Sequence, residues 1–175
     1  MYKIDNNSSL GYVLYMIDKT LGHIRKFIPK GIFTFFQPFY HYSLSLTGAI
    51  LYGFPGKKIN IIAVTGTKGK STTTEIINAI LEKAGYKTAI SNTIRMKIGD
   101  TSKPNLYKMS MPGRFFIQRF IRDAVKEKCD YIVMEITSQG VLNFRHKFIN
   151  INSLVFTNLS PEHIEAHGSY ENYRD

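Results

Sequence analysis

The sequence has a single cysteine, Cys129, which excludes an intramolecular disulfide and a cysteine-rich zinc finger. One thiol fits a reducing compartment. Proline is also sparse, at six residues, and 43% of the chain is hydrophobic. That excludes collagen-like and disordered chains, because there is enough apolar surface for a core. Acidic residues are outnumbered, 13 against 23 Lys and Arg, for a net charge of +10. Such a surface favours anionic partners such as nucleotides, sugar phosphates or anionic lipid. No basic run with interleaved aromatics occurs at RNA-binding spacing, which argues against nucleic acid. No secretory signal is expected, since Asp18 and Lys19 fall where an apolar region would have to run. There is no internal repeat. A length of 175 residues suits one domain, with at most an appendage.

What is present is unevenly distributed. Residues 1–56 hold 12 of the 23 aromatics, so this segment is compositionally distinct from the rest. Leu10, Val13, Leu14, Ile17, Leu21, Ile24 and Ile28 recur every three or four residues, the spacing of an amphipathic helix ending at Pro29. Gly31 to Gly56 carries no charged residue, yet Thr34, Gln37, Pro38, His41, Ser43, Ser45 and Thr47 interrupt it. A membrane span needs about 20 mostly apolar residues. The expectation here is two short segments hinged at Pro38, the second helical from Tyr40 to Tyr52, packed on a partner or resting on a membrane surface. Residues 10–56 are thus a candidate for peripheral membrane contact, and the chain is expected in the cytoplasm, at its inner membrane face.

After the breaker Gly53-Phe54-Pro55-Gly56 the pattern changes. Ile59–Val64, Thr88–Ser91, Tyr131–Ile136 and Leu154–Thr157 are short apolar runs of the buried-strand type. Arg95–Gly99 is expected to be a small extension. Lys70–Ala84 reads as a helix with Ile76, Ile77, Ile80, Leu81 and Ala84 on one side, and Arg114–Lys128 as another. Alternating strand and helix predicts an α/β fold with a parallel sheet. The expected organisation is an aromatic-rich helical segment over 1–56 and a nucleotide-binding α/β domain over 57–175.

The chemistry concentrates at Thr65-Gly66-Thr67-Lys68-Gly69-Lys70-Ser71-Thr72, which joins a strand to a helix. Backbone N–H groups and a helix N-terminus there suit phosphate, and Gly66 and Gly69 allow close approach. Lys70 is placed to reach the β- and γ-phosphates of ATP, and Ser71 to hold Mg²⁺. The general phosphate-loop pattern wants glycine at 64, where this chain has Val64, with the glycine at 66 instead. Glu135 ends an apolar strand, so it belongs at the carboxyl edge of the sheet, where ligands bind and Mg²⁺ needs hard oxygen donors. His163 and His167 are four apart, but Ile164 stands where a zinc hydrolase needs glutamate, which excludes that reading.

Three stretches in order resemble the Mur ligases, closest to the E type. They are Thr65 to Thr74, then Met134-Glu135-Ile136-Thr137-Ser138-Gln139-Gly140-Val141, and then Phe156-Thr157-Asn158-Leu159-Ser160-Pro161-Glu162-His163-Ile164-Glu165-Ala166-His167-Gly168. The resemblance covers residues 59–175. It implies a phosphate-loop α/β sheet flanked by helices, an incomplete form of the family's central domain, with a helical N-terminal extension. It implies an ATP-dependent ligase of peptidoglycan synthesis that adds an amino acid to a UDP-MurNAc peptide through an acyl phosphate. The implied catalytic groups are Lys70, Glu135 and His163, and the implied metal ligands Ser71, Glu135 and His163. Asn158 joins residues 65–72 in the nucleotide set. Ser110, Thr137, Ser138 and Arg145 match positions that contact the UDP-sugar peptide.

The sequence departs from the family at two places. Glu162 stands where aspartate is usual, and Ser110-Met111 where two threonines are usual. The family's N-terminal UDP-binding domain, a later lysine and its C-terminal domain are not matched, so these 175 residues are expected to be inactive in ligation by themselves. Two other readings stay open: a folylpolyglutamate or poly-γ-glutamate synthase-like ligase, and a non-catalytic nucleotide-binding module.

Overall fold

In the computed structural model, residues 30–107, 109–161 and 168–171 are described, with side chains from residue 36 onward. The expected helix over 10–28, His163 and His167 lie outside them. Two compact units are present, Met1–Tyr40 and His41–Asp175. The division falls ahead of the 56/57 boundary expected from the glycine-proline breaker. All that follows concerns the larger unit, apart from the first turns of one helix.

That helix, α1, is Lys30–Leu51, and Pro38 lies inside it. The hinge expected at Pro38 is therefore not observed. Proline removes one intrahelical hydrogen bond and crowds the preceding turn, which can bend a helix without ending it. Ala49 is fully buried and Ser45 nearly so, whereas Ile50 and Leu51 are exposed, so the last turns bury one face only. A short 3₁₀ turn, Pro55–Lys58, leads into the sheet.

The sheet has six strands: β1 (Asn60–Thr65), β2 (Thr88–Ser91), β3 (Arg95–Ile98), β4 (Thr101–Pro104), β5 (Tyr131–Glu135) and β6 (Ser153–Phe156). Their order is β4-β3-β2-β5-β1-β6. The four strands read from apolar runs pair in parallel, with Ile62 opposite Val133 and Ala63 opposite Leu154. The sheet as a whole is mixed rather than parallel, because β3 pairs antiparallel to β2 and β4 antiparallel to β3. The extension expected at Arg95–Gly99 is the first arm of that hairpin, turned at Gly99 (φ 55).

Alternation along the strands sorts the core into two layers. Ile61, Ala63, Ile132 and Met134 face helix α3 (Arg114–Lys126), which buries Ile117, Phe120, Ile121 and Ala124 against them. Val64, Val133 and Ile90 face helix α2 (Lys70–Lys83), which contributes Ile77 and Leu81. Each buried aliphatic side chain is worth roughly 1.5–3 kcal/mol. The expected apolar face of α2 is corrected in part. Ile77 and Leu81 share the sheet side with buried Thr74 and Asn78, whereas Ile76 and Ile80 are turned out, 55% and 62% exposed. Residues 76 and 77 differ by about 100° around a helix, so both cannot face the sheet. A five-residue helix, α4 (Ser138–Leu142), follows β5.

Candidate functional site

The parallel strands β1, β2, β5 and β6 all end on one edge of the sheet. The loop after β1, the turn after β2, Glu135 at the end of β5 and the segment after β6 therefore meet there, which is where ligands bind in open α/β sheets.

The loop begins at Thr65 and ends at Gly69, which caps α2 in a left-handed conformation (φ 79). Nothing lies within 4 Å of where a Gly69 Cβ would be, so this side of the loop is open. Gly66 has a different reason to be glycine. A Cβ there would lie 2.1 Å from Thr157 Oγ1 and 2.9 Å from the Asn158 carbonyl oxygen. The close approach at Gly66 is thus to the chain beyond β6, not to the open side.

That chain continues the β1–β6 pairing past the strand ends. Thr157 N–H donates to the Thr65 carbonyl at 2.9 Å, and Thr67 N–H donates to the Asn158 carbonyl at 3.0 Å. The Asn158 side chain then pairs with the peptide of Lys68. Its Oδ1 accepts from Lys68 N–H at 2.9 Å, and its Nδ2 donates to the Lys68 carbonyl at 3.0 Å. Thr157 Oγ1 also donates to that carbonyl at 2.8 Å, and Ser160 N–H donates to Thr67 Oγ1 at 2.9 Å. Lys70 folds back from the other side, its ammonium donating to the carbonyls of Gly66 at 2.7 Å and Thr67 at 2.9 Å. The first half of the loop is thereby satisfied internally. The donors on the open side are those of the α2 N-terminus, where Ser71 is half-buried and Thr72 exposed.

Glu135 is fully buried. Its carboxylate accepts from Thr93 N–H at 3.3 Å, from Thr93 Oγ1 at 2.9 Å and from the Ser110 hydroxyl. Thr93 and Ser110 hydroxyls are themselves 2.7 Å apart. A buried carboxylate needs such donors, since an unpaired one would be expelled or neutralised. Thr93 is presented by buried Asn92, whose Oδ1 accepts from Ile94 and Arg95 N–H and whose Nδ2 donates to Glu75 Oε1 at 2.8 Å. Arg95 closes this turn with a two-pronged pair on Glu75, which holds the Glu75 carboxyl below its usual range. Asn105 adds a bond to the Asn92 carbonyl at 2.6 Å. Sequence reading passed over Asn92, Thr93 and Asn105. One signal was available: residues just past a parallel strand belong to the ligand edge.

Of the residues expected to contact a sugar peptide, Ser110 bonds Glu135 itself, and the others follow Glu135 in the chain. Thr137 caps α4, its hydroxyl oxygen accepting from Gly140 N–H at 3.1 Å, and Ser138 is the first residue of that helix. The Arg145 guanidinium donates through Nη1 to the carbonyl of Met111, the neighbour of Ser110. Arg114 donates to the Asn143 carbonyl at 3.1 and 2.6 Å. His41 is lowered to about 4 by its burial and by the nearby Arg114 and Arg145 charges. The structure therefore brings Lys70, Asn158 and the loop together at one end, and Glu135 with Ser110 and the Arg145 group at the other.

As to the groups that ATP-dependent chemistry would need, the open face beside Gly69 suits a phosphate, and Glu135 supplies the hard oxygen that Mg²⁺ prefers. Among the described residues no three His, Cys, Asp or Glu side chains form a metal cluster.

A mixed sheet between two helix layers, with a glycine loop entering a helix beside a buried carboxylate, defines an α/β domain of the strand–loop–helix class. Residues 64–175 match the family model for the Mur ligase middle domain. The chain is 42% identical over 132 residues to the UDP-N-acetylmuramoyl-L-alanyl-D-glutamate--2,6-diaminopimelate ligase of Syntrophomonas wolfei, covering 75% of this chain and 27% of that protein. It is 35% identical over 134 residues to the UDP-N-acetylmuramyl-tripeptide synthetase of a Roseiflexus species, covering 75% and 26%. A solved UDP-N-acetylmuramoyl-L-alanyl-D-glutamate--2,6-diaminopimelate ligase superimposes with a TM-score of 0.57 at 29% identity, over 66% of this chain and 23% of that one. The chain belongs to the Mur ligase family, and it spans about a quarter of the length of these relatives.

Proposed function

We propose that this chain carries the nucleotide-binding part of an E-type Mur ligase, a cytoplasmic enzyme that joins an amino acid to a UDP-MurNAc peptide at the expense of ATP. The observation that carries the reading is the open loop face at Gly69–Thr72, with Glu135 on a strand paired in register with the one that feeds the loop. In the reaction the substrate carboxylate attacks the γ-phosphorus of ATP, and the bond to the bridging oxygen breaks. An acyl phosphate and ADP result. The amine nitrogen then attacks the acyl carbon, inorganic phosphate leaves with the bonding pair, and the nitrogen sheds its proton to solvent.

The chain's own groups fit the first step. Lys70 leaves the Gly66 and Thr67 carbonyls to meet the transferring phosphate, and the N–H groups at the start of α2 stabilise its charge. Ser71, Glu135 and His163 would hold Mg²⁺, which when bound neutralises phosphate charge. Asn158 and residues 65–68 keep the loop in shape. Thr137, Ser138, Ser110 and Arg145 serve the peptide substrate.

Two assays test the reading. The 175-residue chain binds Mg·ATP, measured by calorimetry. In an assay of the intact gene product, ADP appears only when a UDP-MurNAc dipeptide and an amino acid are both present, whereas release of AMP would overturn the acyl phosphate. The 175 residues alone give no ligation product, because the matched segment covers only 27% of the relative's length and holding both reactants is worth roughly 7–11 kcal/mol. Among the described residues no helix is long and apolar enough to cross a membrane. Exposed Ile50 and Leu51 near exposed Lys57 and Lys58 support surface contact with an anionic bilayer, which high salt would release.

A further inference from the structure

The connection from α4 to β6 is conformationally unusual. Phe144, Phe148 and Asn150 all have left-handed backbones, at φ 56, 63 and 52. A residue with a Cβ rarely adopts that region, and bulky side chains do so only where their surroundings over-determine it. Arg145 sits between the two phenylalanines.

Much of what holds this turn comes from residues 41–56, ahead of the segment matched by the family model. The Tyr42 ring meets Phe144 edge-on at 6.3 Å and Phe148 at 5.4 Å. Phe54 packs on Phe148 at 6.3 Å. Ser45 Oγ lies 2.8 Å from the Phe144 carbonyl oxygen, its acceptor, and 3.0 Å from that of His41. Gly56 runs so close to Ile149 that a Cβ there would lie 2.3 Å from its carbonyl oxygen. From the other side Gln118 donates to the Phe148 carbonyl at 3.4 Å.

Arg145 is fastened at two points, its N–H to the Gly140 carbonyl at 2.8 Å and its Nη1 to the Met111 carbonyl. Its Nε is buried without an acceptor. Leaving a charged donor unmet is costly, so the Met111 bond alone does not account for this pose.

We propose that Tyr42 and Ser45 are positioning residues for Arg145. The last turns of α1 clamp Phe144 and Phe148 in their left-handed conformations, and the clamped turn aims the guanidinium at a phosphate- or carboxylate-bearing substrate. The proposal rests on the reading of Arg145 as a substrate contact. On this account residues 41–56 are part of the substrate site rather than only an appendage to it.

The test uses the 175-residue chain with UDP-MurNAc-L-alanyl-D-glutamate as the probe, in a double-mutant cycle. Tyr42→Ala and Ser45→Ala are each expected to weaken binding by about tenfold, and Arg145→Ala by at least as much. Because the first two act through Arg145, Tyr42→Ala combined with Arg145→Ala binds no worse than Arg145→Ala alone. Effects that multiply would overturn the proposal. Amide exchange supplies a readout that needs no ligand and detects a variant that fails to fold. In Ser45→Ala the amides of Phe144, Arg145 and Lys147 exchange about tenfold faster, while that of Asn152, bonded to Ile61 at 2.9 Å, keeps its rate. Unchanged exchange at 144–147 in both Ser45→Ala and Tyr42→Ala sinks the clamp. Faster exchange in a chain whose wild type does not bind the probe supports the clamp and removes Arg145 from the substrate reading.

Discussion

The two ends of the site are built from different materials. The glycine loop is held by backbone groups of residues 65–68 and of the segment after β6, the side chains of Thr157 and Asn158 and the ammonium of its own lysine, and much of it faces solvent. The end around Glu135 is made of side chains out of water: Glu135, Ser110 and Met111 are all buried, with Arg145 and His41 behind them. A partner lost from the loop can be replaced by water. A partner lost around Glu135 leaves a buried charge without a donor, at a cost of about 1–3 kcal/mol. The loop is therefore suited to exchange its contacts freely for a ligand's, whereas at the buried end a contact is given up only where a cation or another donor replaces it.

Lys70→Ala is the strongest way to separate the two. It is expected to weaken Mg·ATP binding more than a hundredfold, roughly 3 kcal/mol, since the ammonium is a charged donor in the proposed phosphate site. Its unfolding free energy should change by about 1 kcal/mol or less. A large loss of stability, measured by urea denaturation, would break the contrast. Ser110→Ala should do the reverse and cost about 2 kcal/mol of stability in the same experiment, because Glu135 loses a donor in a dry site. A cost under about 0.5 kcal/mol would mean that water reaches the carboxylate.

Asn158→Ala falls between them. It frees the Lys68 N–H and leaves the Lys68 carbonyl to the Thr157 hydroxyl at the exposed loop, so about 1 kcal/mol or less is lost. The Lys68 amide should exchange faster while the sheet stays protected. Asn158→Asp keeps the acceptor but loses the donor, and should loosen the loop less.

The smallest effect is one of pH. His41 has its folded pKa lowered to about 4 from 6.5, first by burial and then by Arg114 and Arg145, and His146 is lowered in the same direction by burial and then Lys147. Between those values the unfolded chain binds more protons than the folded one, so stability falls as pH drops from 6.5 toward 4. Glu75 enters only below about 4.5, its pairing with Arg95 being lost as the carboxyl protonates. His41→Gln should flatten the upper part of that decline, as followed by melting temperature from pH 7 to 5. An unchanged slope would place His41 in water and weaken the view of the buried end as dry.

The sequence alone determined the parts whose cause is local. A β-branched run ending in a glycine loop and entering a helix announces itself within a dozen residues, as do Lys70, Ser71 and the capping Gly69. The parallel strands and Glu135 at the end of one of them follow from periodicity and alternation. Only the tertiary structure decided what depends on contacts distant in sequence. Gly66 is glycine because Thr157 and Asn158 pass beside it, some ninety residues later. Thr93 and Ser110 converge on Glu135 because a hairpin follows β2 and a turn precedes α3. Ile76 and Ile80 face outward because Thr74, Ile77, Asn78 and Leu81 occupy the sheet side. Pro38 lies within a helix, not at its hinge. Periodicity reports which face of an element is apolar, whereas the chain crossings that bring residue 42 to residue 148, or residue 158 to residue 68, leave no local mark, because they depend on how the whole sheet is ordered.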